Sequence, residues 1–104
     1  MSRSAEIAEV EDLLRLDKQA LRPAHLNALE RALIAPFKLP VDDSPGEYVV
    51  AVAAFGQALL YWSDVEEGWE LAVPSQAGTI ASRGCNQFEL AHVLHQAVGP
   101  ADAA

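Results

Sequence analysis

Cysteine is almost absent from this chain of 104 residues, which contains only Cys85. A single thiol cannot form an internal disulfide, so no disulfide framework holds the fold together. The first residues are charged and lack the apolar stretch of a signal peptide, which together with the single thiol indicates a reducing, cytoplasmic location. The most apolar stretch, residues 48–62, is shorter than the ~20 residues of a membrane-spanning helix. We therefore expect neither disulfides nor contact with a membrane.

Basic residues are also scarce, with 7 Lys and Arg against 15 Asp and Glu and a net charge of −8. Residues 1–38 hold six acids and six bases, whereas residues 39–104 hold nine acids and one base, Arg83. All the excess negative charge therefore lies in the second part of the chain. Such a field repels nucleic acid and attracts basic proteins. The alternative is that the acidity only keeps the protein soluble.

The short motifs of phosphate-binding loops, dinucleotide-binding folds, zinc proteases and serine hydrolases are missing. Cys85, His92 and His95 are the residues that raise the question of a zinc site or a Cys–His nucleophile. No second cysteine and no obvious fourth ligand lies near them in the sequence. We therefore interpret Cys85 as structural, place His25 on the surface, and predict no catalytic residue, metal or cofactor.

Residues 1–40 are predicted to form an αα-hairpin. Helix 1 covers about residues 5–21, where apolar side chains recur at helical spacing. Pro23 begins helix 2, and Pro36 and Pro40 end it. The apolar face of helix 2 consists of Leu26, Leu29, Leu33 and Phe37.

Residues 47–83 are predicted to form an antiparallel sheet of three or four strands. For residues 44–60 two interpretations compete. Ser44 with Glu47 matches a capping box and would begin a helix. The β-branched valines and Gly56 instead favour a strand, a turn and a second strand, which we adopt. The predicted strands are 47–53, 58–63, 69–73 and a short edge strand at 79–82.

A C-terminal helix is predicted over residues 86–98, with Asn86 as its N-cap. Gly99 and the following proline end it, and residues 99–104 are expected to be a frayed tail. We expect this helix to pack on one face of the sheet. The fold class is therefore α+β, with the whole chain in a single domain.

Aromatic and acidic residues are concentrated in the segment Gln57–Val73. Tyr61 and Trp62 alternate along a predicted strand and so point to opposite faces of the sheet. With helices on one face only, one of the two rings stays exposed, and exposed aromatics beside acids are typical of protein-binding hot spots. The turn after this strand ends at Gly68, which we expect to adopt positive φ. The predicted partner-binding residues are Tyr61, Trp62, Asp64, Glu66, Glu67, Trp69 and Glu70.

Residues 61–69 read Y-W-S-D-V-E-E-G-W and are followed by G-x-I and by Gly84-Cys85-Asn86-Gln87 opening a helix. This pattern, over about residues 59–94, resembles small uncharacterised bacterial proteins. In size, acidity and α+β architecture the chain is also similar to the immunity proteins of bacterial toxin systems. That resemblance implies a cognate toxin, often a basic nuclease, that is bound through an acidic surface. It assigns no individual residues.

The sequence thus predicts a non-enzymatic, acidic protein-binding module, an immunity or inhibitor protein that neutralises a basic partner such as a toxin. The acidic turn would steer association and an aromatic residue would anchor it. One alternative is a structural module that forms a homodimer through an exposed sheet face or edge. Another is an enzyme or metal site that uses Cys85 with His92 or His95.

Overall fold

The computed structural model describes residues 6–64, 67–82 and 88–100. Its elements are α1 (Ile7–Asp17), α2 (Pro23–Ala32), β1 (Leu33–Pro40), β2 (Tyr48–Phe55), β3 (Ala58–Ser63), β4 (Gly68–Ala72) and α3 (Leu90–Val98). The strands form one antiparallel sheet in the order β1-β2-β3-β4. The prediction of an α+β fold with an antiparallel sheet is confirmed.

Helix α1 begins at Ile7, because Glu6 acts as its N-cap and the Glu9 carboxylate accepts a hydrogen bond from the Glu6 amide at 3.3 Å. This reciprocal arrangement satisfies backbone donors that have no partner inside the helix. The helix ends at Asp17, and a single 3₁₀ turn, Lys18–Ala20, leads to Leu21. The last predicted residues of helix 1 are therefore not α-helical.

The prediction that helix 2 extends to Phe37 is wrong, because α2 ends at Ala32 and the chain continues directly as β1. Leu33 and Phe37 have helical spacing relative to Leu29, but backbone pairing with β2 prevails over that pattern. Pro36 cannot lie inside a helix and is tolerated in an edge strand. The αα-hairpin is likewise not confirmed, since α2 packs against α3.

For residues 44–60 the strand interpretation is confirmed and the helix alternative is wrong. Strands β2 and β3 are joined through Phe55 paired with Ala58, so Gly56 and Gln57 form a two-residue turn. Gly56 has φ +64° and Gln57 does not have positive φ, which fits a type II′ hairpin turn. The register of β2 against β3 shifts between Ala51 and Ala53, a β-bulge that places Val52 on the same core as Ala53.

The two faces of the sheet are covered differently. On the helix face, Val50, Leu60 and Trp69 pack in one core with side chains of all three helices. The helical residues of that core are Val10, Leu14, Leu29, Leu90, Val93 and Leu94. The opposite face, which we call the loop face, carries Val49 and Tyr61. Both faces of β2 are therefore buried, which explains its nearly continuous apolar sequence.

Residues 73–82 cover the loop face. They leave β4 at one edge of the sheet and reach the other edge, where Ile80 forms a parallel bridge with Val41 directly after β1. The Asp42 amide donates to the Ile80 carbonyl at 2.8 Å, and the Ile80 amide donates to the Pro40 carbonyl at 3.1 Å. The prediction of an edge strand at residues 79–82 is therefore wrong: this segment crosses the loop face and is held by backbone hydrogen bonds to residues 40–43.

Helix α3 begins at Leu90, after Glu89 as N-cap, which is later than the predicted start at residue 86. Phe88 precedes the helix, and its carbonyl accepts a hydrogen bond from the Trp69 amide at 3.0 Å. Gly99, with φ +92°, ends the helix. The predicted N-cap Asn86 and residues 101–104 of the predicted tail lie outside the described residues.

Candidate functional site: the acidic end of the sheet

Antiparallel topology brings two separate connections together. In a four-stranded meander the β1–β2 and β3–β4 connections leave from the same end of the sheet, and the β2–β3 turn lies at the other end. Val50 at the start of β2 pairs with Trp62 at the end of β3. The end of the β1–β2 connection and the start of the β3–β4 connection therefore belong to neighbouring strands. Adjacent strands are only about 4.8 Å apart, so charges on the two connections lie within range of each other.

Both connections are rich in carboxylates. We call their described acids the acidic end: Asp42, Asp43, Glu47, Asp64 and Glu67. Asp42, Asp43 and Glu67 are exposed, and Glu47 and Asp64 are half-buried, with both carboxylate oxygens of Asp64 buried. Sequence reasoning identified only the second connection, because nothing local indicates that the first lies beside it.

The first connection is held in place by several hydrogen bonds. The Asp42 carboxylate accepts a bond from the Thr79 hydroxyl at 3.1 Å, and the Asp43 amide donates to the Ala81 carbonyl at 3.0 Å. The Ser44 hydroxyl donates to the Asp43 carboxylate at 3.2 Å. These bonds tie the acids to the segment that crosses the loop face, so their positions are fixed by the fold.

The second connection contains an unusual backbone conformation. Glu67 has φ +53°, the one positive φ at a non-glycine position among the described residues. Gly68, which we expected to take that conformation, is instead the buried first residue of β4 and pairs with Ser63. A side chain in the left-handed region costs roughly 1–2 kcal/mol. Glycine would avoid that cost, yet the position carries an exposed carboxylate.

A pair of tryptophans lies beside the acidic end on the helix face. Trp62 and Trp69 are directly opposite each other in the β3–β4 pair, and their rings meet edge to face with centroids 5.1 Å apart. Trp69 is 1% exposed, and its indole nitrogen donates to the Asp17 carboxylate at 2.8 Å. Trp62 is half-buried, so part of its surface is open to solvent.

Burial removes three predicted contact residues from the surface. Tyr61 is 2% exposed beneath the crossing segment, Trp69 lies in the helix-side core, and Glu70 is 8% exposed. The prediction missed this because it assumed one uncovered sheet face. Trp62 and Glu67 keep solvent-accessible surface, whereas both carboxylate oxygens of Asp64 are buried although the residue as a whole is half-buried. Glu66 lies outside the described residues, and contact of any of these residues with a partner stays a prediction.

The start of α1 adds a small charge network at the same end. The Tyr48 hydroxyl donates to the Glu6 carboxylate at 3.1 Å, and the Lys38 ammonium lies 4.0 Å from the same carboxylate. That ammonium also lies 4.5 Å from the centroid of the Tyr48 ring, close enough for a cation–π contact. The positive charge of Lys38 is therefore compensated locally by Glu6.

The alternative site of Cys85 with His92 or His95 stays a prediction, because the structure describes only its histidines. His92 and His95 are exposed on α3, whereas His25, which we expected on the surface, is 5% exposed. Cys85 lies outside the described residues. Within the described ranges, no group of three or more His, Cys, Asp and Glu side chains is arranged to hold a metal ion.

Comparison with known proteins finds no match, whether among protein families, curated proteins or solved structures. In the part of the chain that the structure describes, none of the helices has the length and apolar character needed to span a membrane.

Proposed function

We propose that this chain is a non-enzymatic binding protein that uses the acidic end to bind a basic protein. The observation that supports this most directly is the convergence of carboxylates from two connections far apart in sequence. Sixteen residues or more separate the Asp42–Glu47 group from Asp64 and Glu67, yet adjacent strands place them at one end. A concentrated negative field of this kind attracts basic partners and accelerates their association.

The strained backbone at Glu67 supports the same proposal. Backbone strain persists only where the surrounding structure enforces it, and strained residues cluster at functional sites. At Glu67 the strained conformation presents an exposed carboxylate at the same end of the sheet as the exposed Asp42 and Asp43, where like charges repel each other. A basic partner would relieve that repulsion on binding, and the exposed part of Trp62 would supply the apolar contact at the edge of the charged surface.

The finer proposal is that the partner is a toxin and that this chain is its immunity or inhibitor protein. It rests on the acidic end and on the similarity in size, charge and architecture to immunity proteins. Neutralisation requires only that binding block the toxin, so no catalytic group is needed on this chain.

The test compares two variants that remove the same amount of charge. The acidic-end variant carries Asp43→Asn and Glu67→Gln, and the control variant carries Glu11→Gln and Glu30→Gln on exposed positions of α1 and α2. Partners are captured from lysate of the source cells with the unmodified protein, identified and purified. Association rates are then measured at 0.05 M and 0.5 M salt.

We expect a basic partner whose association rate falls by roughly threefold or more with the acidic-end variant but not with the control variant. The difference should shrink at 0.5 M salt, where the screening length is only about 4 Å. Equal rates for the two variants, or a partner without a basic surface, would refute the role of the acidic end. Growth arrest by the partner alone, relieved by the unmodified protein, would support the toxin assignment.

A second candidate function, assembly as a homodimer, is favoured by the edge strand β1. Leu33 and Phe37 there are 39% and 40% exposed. Pro36 and Pro40 lack amide donors, so a second copy would have to associate through side chains rather than by extending the sheet. Analytical ultracentrifugation decides between the two: a dimer that dissociates on Phe37→Ser supports assembly, and a monomer at high concentration argues against it.

A further inference from the structure

All three histidines of the chain lie around one cleft. His25 comes from α2, and His92 and His95 come from α3. The cleft has a volume of about 630 Å³, within the range of small-molecule sites. Its other lining residues are Ala20, Arg22, Ala91 and Pro100. None of these residues is an acid, although acids outnumber bases 15 to 7 in the chain.

His25 forms the buried wall of this cleft and joins its two sides. Its Nε2 atom lies 2.9 Å from the Gly99 carbonyl oxygen. Because a carbonyl only accepts, Nε2 must carry the proton of this bond. The bond links the first turn of α2 to the end of α3, so the fold fixes the separation of the two helices that carry the remaining histidines.

The orientation of His92 is also restrained. Its ring stacks on Phe88 with centroids 4.3 Å apart and planes inclined by 19°. The Gln96 amide nitrogen donates to Nε2 at 3.3 Å, so the neutral ring carries its proton on Nδ1. His95 and Arg22 are exposed at the mouth of the cleft. Because the N–H of His25 is used by the Gly99 carbonyl, the donors of the cleft are the Arg22 guanidinium and the ring N–H groups of His92 and His95, and its lining includes no side-chain carboxylate.

This set of groups suits an anion better than a metal ion. Metal binding needs several imidazole or carboxylate groups aimed at one point, and the described residues hold no group of three or more such side chains arranged for it. A guanidinium presents parallel donors that match phosphate oxygens, and histidine N–H groups add further donors. The cleft is several times larger than a phosphate ion, and Ala20, Ala91 and Pro100 supply apolar surface for an organic portion.

We propose that this cleft binds a small organic phosphate monoester through its phosphate group. It shares no residue with the acidic end, so the proposal stands or falls independently of the proposed function. The negative field of the acidic end would repel an anionic small molecule. The cleft would offer such a molecule a binding site that contains none of those carboxylates.

The test is a titration of the full-length, ¹⁵N-labelled protein with inorganic phosphate, followed by amide chemical shifts. Parallel titrations use sodium chloride and sodium acetate at matched ionic strength, and zinc chloride. We expect saturable shifts with phosphate that are confined to residues 20–25 and 91–99. Non-saturable shifts, equal shifts with chloride, or equally tight binding of acetate would overturn the phosphate assignment. Saturation by zinc without saturation by phosphate would also overturn it.

Variants at exposed positions avoid the folding risk of changing buried His25. Arg22→Gln should weaken phosphate binding by roughly tenfold, the effect of losing one charge-assisted hydrogen bond. His95→Gln should weaken it by a smaller factor. The matched control Arg31→Gln, on an exposed position of α2 and outside the cleft lining, should leave phosphate binding unchanged. Equal weakening by Arg22→Gln and Arg31→Gln would show that only overall charge matters and would refute a specific site.

Discussion

Replacing Asp17 with Ala should destabilise the protein through loss of its bond with Trp69. The Trp69 indole is 1% exposed and donates to the Asp17 carboxylate at 2.8 Å. A hydrogen bond to a charged group contributes about 1.5–3 kcal/mol, and a buried donor left without an acceptor costs a similar amount. Asp17 is half-buried, so water can partly replace the carboxylate. We therefore expect the free energy of unfolding to fall by about 1.5–2 kcal/mol.

The measurement is urea unfolding followed by far-ultraviolet circular dichroism, which does not depend on the emission of Trp69. The expected loss corresponds to a fall in Tm of about 6–16 °C for a domain of this size. Asp17→Asn, which keeps an acceptor oxygen, should lose less. Asp12→Ala is the matched control on α1, because Asp12 is 62% exposed and pairs with Arg15 three residues later on the same helix. That pair contributes about 0.5 kcal/mol or less.

A double-mutant cycle isolates the contact itself. In a Trp69→Phe background the indole donor is gone, so Asp17→Ala should cost less than about 0.5 kcal/mol. A loss in the unmodified protein no larger than that of Asp12→Ala would refute the reasoning. So would an equal loss in the presence and absence of the indole, since the carboxylate would then stabilise α1 by some other route.

Three further predictions concern the core and the turns, each measured by the same unfolding assay. Leu29→Ala should lower the free energy of unfolding by about 2–5 kcal/mol, because Leu29 is fully buried among the helix-side core residues and leaves a cavity; a loss under 1 kcal/mol would mean that the core collapses around it. Gly56→Ala should lower it by about 1 kcal/mol through the positive φ alone, since an added Cβ there meets no atom within 4 Å. Glu67→Gly should raise it by about 0.5–1 kcal/mol, and a loss would mean that the Glu67 side chain stabilises the turn.

The substitutions Gly56→Ala and Glu67→Gly are expected to change the free energy of unfolding in opposite directions, although both positions have positive φ. The second substitution also bears on function. If Glu67→Gly stabilises the fold and slows association with a basic partner, the acid is retained for binding at a cost in stability. If it stabilises the fold and leaves association unchanged, the strain at this position has no role in binding.

The local pattern of the sequence determined much of the secondary structure. The β-branched run before Gly56 and the alternation after it specify the β2–β3 hairpin, because both signals depend only on residues within a few positions of each other. Pro23 and Gly99 fixed the start of α2 and the end of α3 in the same way. Pro36 was a signal that could have revealed β1, since it is incompatible with the interior of a helix and biases Ala35 towards extended backbone.

Tertiary structure decided the positions that depend on partners distant in sequence. Leu33 and Phe37 fit a helical face as well as a strand, and only pairing with β2 selects the strand. Tyr61 is buried because residues 73–82 cross the loop face, an event that no nearby residue signals. Likewise, Asp43 lies at the same end of the sheet as Glu67, and His25 reaches the Gly99 carbonyl after α3, only when the strands and helices pack. Local sequence determines which backbone conformations are low in energy. The burial of a side chain and the proximity of charged groups instead depend on contacts that exist only in the folded chain.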